Sequence, residues 1–174
     1  MLQGAFDFAL PRSNWCPPAF LPDLSSERIL AIDTEGFDPD LETEGPGFLR
    51  DKGMVVGVSV AWSNGGKVYL PIAHKFGGNL DKQLVCNWLR STLGRRELGV
   101  VFANAPYDLG GLRSIGVEVA GKIHDIQIMD PLLDAERHDG YSINALWKRW
   151  LQKEKNEEIL QEAAKAHGSL NAKR

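Results

Sequence analysis

The apolar positions of this chain fall into short runs of two different periods. Arg28 to Ile32 is a compact apolar run that closes on Asp33-Thr34-Glu35-Gly36, as expected of a buried central strand whose end meets solvent. The valine-rich stretch from Met54 to Trp62 and the run from Lys67 to Ile72 flank Ser63-Asn64-Gly65-Gly66, a turn sequence that predicts an antiparallel hairpin. From Asp81 the period lengthens: Leu84, Val85, Trp88 and Leu89 recur at helical spacing, with Asn79 as the expected N-cap and Gly94 near the end. Gly99 to Ala103 returns to a short strand, and Pro106 opens a helix that Gly116 closes. Lys122 to His124 reads as one more strand and Ile126 to Leu133 as a helix. Ser142 caps another helix, with Ile143, Leu146, Trp147, Trp150 and Leu151 on one side, and a final helix is expected over 156–166. The order of elements predicts an α/β domain with a mixed sheet of about five strands, flanked by helices and with the Arg28 to Asp33 strand central. Two stretches lack such periods. Residues 1–25 carry four prolines and read as an extended N-terminal arm packed on a domain spanning 26–174, and the polar stretch Phe37 to Gly53 reads as a loop.

Composition narrows the function more by exclusion than by pointing. The chain has 174 residues, 43% of them hydrophobic and 25% charged, which suits one globular domain with one core. With 20 basic and 23 acidic residues the formal charge is −3, so the surface as a whole lacks the basic footprint of a duplex-gripping protein and any nucleic-acid contact must be local. Cys16 and Cys86 stand far apart without metal-ligand spacing, which argues against a zinc site or a disulfide framework and for a reducing, cytoplasmic setting. No apolar run is long enough to span a bilayer and the start has no signal-like core, so neither a membrane partner nor export is expected.

The chemistry is concentrated in three carboxylates. Asp33 and Glu35 stand two apart on a strand, so the alternation of the pleat sends both side chains to one face. Two like charges on one face of a strand call for a positive partner, and a divalent metal is the simplest one. Alone, the pair is equally well a solvated strand end. Asn104-Ala105-Pro106-Tyr107-Asp108 follows the next strand, where strand ends gather ligands in an open sheet, so Asp108 is expected to reach the same patch. Alone, Asp108 is more simply a helix-start aspartate favoured by the helix dipole. Three hard oxygen donors suit Mg²⁺ or Mn²⁺ and metal-assisted phosphodiester hydrolysis, and removing Asp33 or Asp108 from such a like-charge cluster is expected to weaken metal binding with little loss of folding stability.

Ile32-Asp33-Thr34-Glu35 and Asn104-x-x-Tyr107-Asp108 resemble the first two motifs of the DEDD 3′→5′ exonucleases, which have an RNase H-like fold. The arm Pro11-Arg12-Ser13-Asn14-Trp15, Gly45-Pro46-Gly47, Pro71-Ile72-Ala73-His74 with Gly77-Gly78-Asn79-Leu80, and Ser142-Ile143-Asn144-Ala145-Leu146 carry the likeness to the exonuclease part of bacteriophage polymerase I-like enzymes. The resemblance implies a proofreading-type exonuclease holding two ions on Asp33, Glu35 and Asp108. It implies substrate contacts from Thr34 and Asn104, and a single-stranded or frayed DNA 3′ end as partner in a bacterial cell, on a phage-encoded protein. The family also places a Tyr-x-x-x-Asp motif on a later helix, and this chain has none: Tyr107 is followed by Gly111 at that spacing and Tyr141 by Ala145. The expectation is therefore a chain lacking its C-terminal helices, with the last carboxylate supplied by a polymerase domain or a separate polypeptide. The competing readings are a catalytically impaired nucleic-acid-binding or scaffold fragment of a truncated or split polymerase, and an RNA-directed enzyme of the same fold. Among the remaining candidates, Asp125 reads as structural, His124, His138 and His167 as surface or packing residues, and Trp88, Trp147 and Trp150 as core. His74 reads as a loop residue with a weaker claim on substrate.

Overall fold

The computed structural model describes residues 15–75, 78–136 and 139–154, with Glu158, Gln161 and Glu162 beyond them. Five strands form one sheet: β1 (Ile29–Phe37), β2 (Met54–Trp62), β3 (Lys67–Pro71), β4 (Gly99–Phe102) and β5 (Lys122–Asp125), in the spatial order β3-β2-β1-β4-β5. The meander β1-β2-β3 is antiparallel, while β4 and β5 run parallel to β1. The expected central strand is central, but it runs on through the acidic motif to Phe37 instead of ending at it, with a register shift between Glu35 and Gly36.

Alternation decides which residues build the core. Leu30, Ile32 and Thr34 on β1 are buried, while Ile29, Ala31, Asp33 and Glu35 are exposed. The inner row continues through Val60 and Val58 on β2 to Val68 and Leu70 on β3, and through Val100 on β4. The main helix, α2 (Lys82–Leu93), contributes Val85, Cys86, Leu89 and Leu93 to the core, all buried. Its cap is Asp81, whose Oδ1 accepts from the Leu84 amide at 2.7 Å. Asn79, the expected cap, instead brackets His74: its Oδ1 accepts from the His74 amide and its Nδ2 donates to the His74 carbonyl.

The stretch read as a plain loop holds a short helix α1 (Leu41–Glu44) and a 3-10 turn (Phe48–Arg50) that sinks Phe48 into the core, edge-on to Tyr107. Between residues 15 and 28 there is neither helix nor strand. This segment is pinned by buried Leu24 and by Trp88 Nε1, which donates to the Pro22 carbonyl.

Beyond β4 come α3 (Ala105–Ser114), α4 (Ile126–Leu133) and α5 (Ile143–Leu146), the last capped by Ser142 and continued by a π-helical turn over Trp147–Leu151. The expected stripe on this last helix is not core. Leu146 is buried, but Trp147, Trp150 and Leu151 are exposed. The turn is held by Arg149, which reaches Asp130 and Asp139, and by Trp150 Nε1, which donates to Asp130. The helix expected over 156–166 lies almost wholly outside the described residues, as do His138 and His167. No helix among the described residues is long and apolar enough to cross a membrane.

Candidate active site on the open face of the sheet

The residues between Asp33 and Glu35 explain how the acidic motif is held. β4 stays with β1 only from Ile29 to Ala31 and then parts from it, so the amide of Thr34 has no partner strand on that side. Asp108 takes its place. Its Oδ1 accepts from both the Thr34 amide and the Thr34 hydroxyl at 2.7 Å. Gly111, three residues beyond Asp108, suits this close approach of helix α3: a Cβ there would lie 3.3 Å from Thr34 Oγ1 and 3.2 Å from Val55 Cγ2, so its neighbours would have to yield by a few tenths of an ångström.

The consequence for the predicted residues is a division across the pleat. Asp33 and Glu35 share the exposed face, as the alternation required. Asp108 is buried on the inner side, only 2% exposed, and the Thr34 side chain is turned to it and away from the open face. The hydroxyl of Thr34, a residue to which the family resemblance gives a substrate contact, holds Asp108 here. Among the described residues no three acidic, His or Cys side chains stand together as a ready-made metal cage. The reason is geometric: the residue Asp108 grips lies between the other two and faces the opposite way. Asp33 and Glu35 nevertheless form a two-carboxylate donor set of hard oxygens, which fits Mg²⁺ or Mn²⁺ better than a softer ion.

Electrostatics still tie the two sides together. Burial pushes the Asp108 carboxyl up to about 6, against the opposing pull of its two bonds from Thr34, and the charges of Asp33 and Asp125 add to the rise. The Tyr69 phenol is pushed up to about 12, chiefly by burial and then by Glu35 and Asp33. Tyr107 is likewise raised by burial, with Asp38, Asp108 and Glu35 contributing.

Over the exposed face runs an open cleft of about 1020 Å³. Its floor is made of small side chains such as Ala31, Ser59 and Ala61, and Asp33, Tyr69 and Asn104 line it. Asn104 adopts a left-handed conformation, φ 71°, between β4 and α3 and makes no capping bond with its side chain.

No family model matches the chain. Over 166 residues, 92% of its length, it is 39% identical to a DNA-directed DNA polymerase of Pseudomonas phage M6. It is 30% identical to DNA polymerase I of Pseudomonas aeruginosa over 141 residues, 77% of its length. The chain is related in sequence to polymerase I-like DNA polymerases. It spans 25% of the phage protein and 14% of the bacterial one. Among solved structures, Trypanosoma brucei RNase D in complex with GMP matches with a TM-score of 0.62 at 17% identity, covering 82% of this chain and 41% of that one. Brucella melitensis NrnC with bound Mg²⁺ matches with a TM-score of 0.55 at 17% identity, covering 86% and 71%. At such identities the likeness establishes the fold, which is the RNase H-like fold of the exonucleases.

Within this polymerase-related frame the other acids have visible duties. Asp125 Oδ2 accepts from the Ala105 amide at 2.7 Å, and its Oδ1 from the amides of Gln127 and Asn104, so one carboxylate caps the starts of both α3 and α4. Asp130 is engaged by Arg149 and Trp150. Sequence reasoning missed Tyr69 as a site residue. The signal was present in the hairpin register: Asp33 pairs with Ser59 and Ser59 with Tyr69, so the three stand in one row on one face.

Proposed function

We propose that this chain is the 3′→5′ exonuclease unit of a polymerase I-like DNA polymerase, hydrolysing the last phosphodiester of a single-stranded or frayed DNA 3′ end and releasing nucleoside 5′-monophosphates. The observation that carries the reading is the Asp33–Glu35 pair on the open face of the central strand, with Asp33 lining a cleft large enough for a terminal nucleotide, in a chain related in sequence to polymerases. In the reaction a water oxygen bonds to phosphorus and the bond to the 3′ oxygen breaks. The proton lost by the water is balanced by the one gained at the new 3′ hydroxyl.

Asp33 and Glu35 would hold Mg²⁺ or Mn²⁺, with Asp108 supporting them from behind Thr34. A divalent ion there supplies activation of the attacking water and charge for the leaving oxygen. Asp108 fixes the span of β1 between the two acids through its bonds to Thr34, so their spacing does not depend on the bound substrate. Asn104 presents an amide to the cleft, and the apolar floor receives a base and sugar without a basic surface.

The test is digestion of a 5′-labelled single-stranded oligonucleotide with Asp33→Ala as blank. The expected result is a ladder that shortens from the 3′ end, slow in Mg²⁺ and faster in Mn²⁺. It should be at least about 100-fold slower in the variant, since even partners outside a metal's own ligand set are worth 10–100-fold. Adding a polypeptide that carries a Tyr-x-x-x-Asp helix is expected to raise the rate. Internal cutting, or degradation indifferent to Asp33, would overturn the reading.

A further inference from the structure

A phenol and an imidazole stand beside the acidic pair, and the hydrolytic scheme above does not use them. Tyr69 follows Asp33 and Ser59 in the same cross-strand row. Its ring does not stand straight out from the sheet. It lies back over Gly57, where an added Cβ would meet the Tyr69 hydroxyl oxygen at 2.0 Å and its ring carbons at 2.4 and 2.6 Å. Gly57 is the residue paired with Glu35 on β1. Glycine at this one position thus lets the phenol lean along the sheet toward the carboxylates, and any larger residue would displace it.

The hydroxyl is anchored from the far side. Tyr69 Oη and His74 Nε2 are 2.5 Å apart, with the two rings edge to face at 5.7 Å. His74 is itself fixed by its own backbone, because the Asn79 side chain closes both the amide and the carbonyl of His74 in a two-bond bracket at 2.7 and 2.8 Å. Trp15 packs on the other side of the Tyr69 ring, at 5.8 Å between centroids. Two direct contacts on one side chain, from His74 braced by Asn79 and from Trp15, hold a single hydroxyl in place at the margin of the cleft that Tyr69 shares with Asp33 and Asn104.

Resting on the exonuclease reading above, we infer that Tyr69, oriented by His74, donates a hydrogen bond from its hydroxyl to a non-bridging oxygen of the phosphodiester at the 3′ end of the substrate. A phenol is the suitable group here. It is neutral and keeps its proton at working pH, so it adds a donor beside two carboxylates without competing with a cation for them. His74 serves as a positioning residue: with Nε2–H donating to the phenol oxygen, the phenolic hydrogen is left to point into the cleft. The tyrosine of the family's Tyr-x-x-x-Asp motif is not needed for this contact, since Tyr69 comes from β3 within the chain itself.

The experiment compares two oligonucleotides that differ only in the last linkage, phosphodiester or uncharged methylphosphonate, binding to the whole chain in Mn²⁺. Fluorescence anisotropy is read within seconds of mixing. The wild type is expected to prefer the phosphodiester. Tyr69→Phe keeps the ring over Gly57 and against Trp15 but removes the donor. It should cut the preference by about tenfold, the usual worth of a hydrogen bond to a charged group, with a much smaller loss of methylphosphonate affinity, because the one non-bridging oxygen left there is uncharged. His74→Phe should lower the preference in the same direction by a smaller factor. A folding defect would lower affinity for both oligonucleotides alike, so a loss concentrated on the phosphodiester excludes it. A Tyr69→Phe chain with the full wild-type preference would overturn this inference while leaving the exonuclease reading standing. A wild-type preference that is the same without Mn²⁺ and in Asp33→Ala, or no binding at all, would overturn the exonuclease reading and this inference with it.

Discussion

The two faces of β1 are built from alternating residues of one nine-residue strand, and they follow different rules. On the inner face Leu30 and Ile32 are 0% and 3% exposed and are packed under α2 and α3, and the polar Thr34 is accepted there only because Asp108 takes both its donors. On the outer face Ile29, Ala31, Asp33 and Glu35 stand on a floor of small residues open to solvent. Packing thus determines every second position, and chemistry determines the ones between. Asp108 breaks the division because it is an acid of the candidate site that belongs to the packed face.

The sharpest way to break the comparison is on the inner face. Ile32→Ala should cost about 2–5 kcal/mol, because a fully packed site next to Val60 cannot collapse around the cavity, whereas the neighbouring Asp33→Ala should cost less than about 0.5 kcal/mol. Chemical denaturation of the two variants side by side measures the difference, and equal midpoints would erase the distinction between the faces.

Asp108 sharpens the comparison through pH. Its folded-state pKa of about 6 lies above the ordinary 3.8, so the native state binds its proton more tightly than the unfolded chain does. The stability this contributes is fully present below about 3.8 and is lost as the pH rises through about 6. Asp108→Asn keeps an acceptor for Thr34 and removes the charge, so it should gain on the wild type between those values and stay ahead by about 1–3 kcal/mol at pH 7–8. Asp108→Ala leaves the buried Thr34 donors unmet and should fall below the asparagine variant by about 1–3 kcal/mol. At pH 7–8 these two effects offset, so Asp108→Ala is expected to stay close to the wild type there and to fall about 1–3 kcal/mol below it in acid, where the wild-type carboxyl is protonated; an exposed member of a like-charge cluster would show no such pH dependence. Thermal melts of the three proteins across pH 4–8 check the ordering. The smallest effect concerns α2, where Asp81→Ala should cost about 1 kcal/mol and Asn79→Ala should leave the start of the helix intact, as read by the same melts.

The sheet was legible because its strands carry period-two patterns and a marked hairpin turn, and because Pro106 and Gly94 punctuate helices where the structure has them. Shared facing of Asp33 and Glu35 followed from alternation alone. What escaped notice depended on partners distant in sequence. Asn79 satisfies the usual chemistry of a cap, but its side chain closes on His74, leaving the cap to Asp81. Phe48 sits in a polar stretch whose composition says loop, yet it completes the core against Tyr107. Trp147 and Trp150 satisfy a helical stripe, but a π turn and the Arg149 clasp leave their rings at the surface. Periodicity gives the direction of a side chain within its own element; it does not say which of two faces will find a cover.

Asp108 and Thr34 have a further consequence, for spectroscopy. Where β4 leaves β1, the backbone proton of Thr34 is held by a carboxylate and not by a neighbouring strand. Its resonance in a nitrogen–proton correlation spectrum should therefore move with a midpoint near pH 6, set by Asp108, while the Leu30 amide, flanked by Ile29 and Ala31, stays still. One amide peak then reports the charge state of a buried acid, and it would register the arrival of a cation on the opposite face of the strand before any bond is cut.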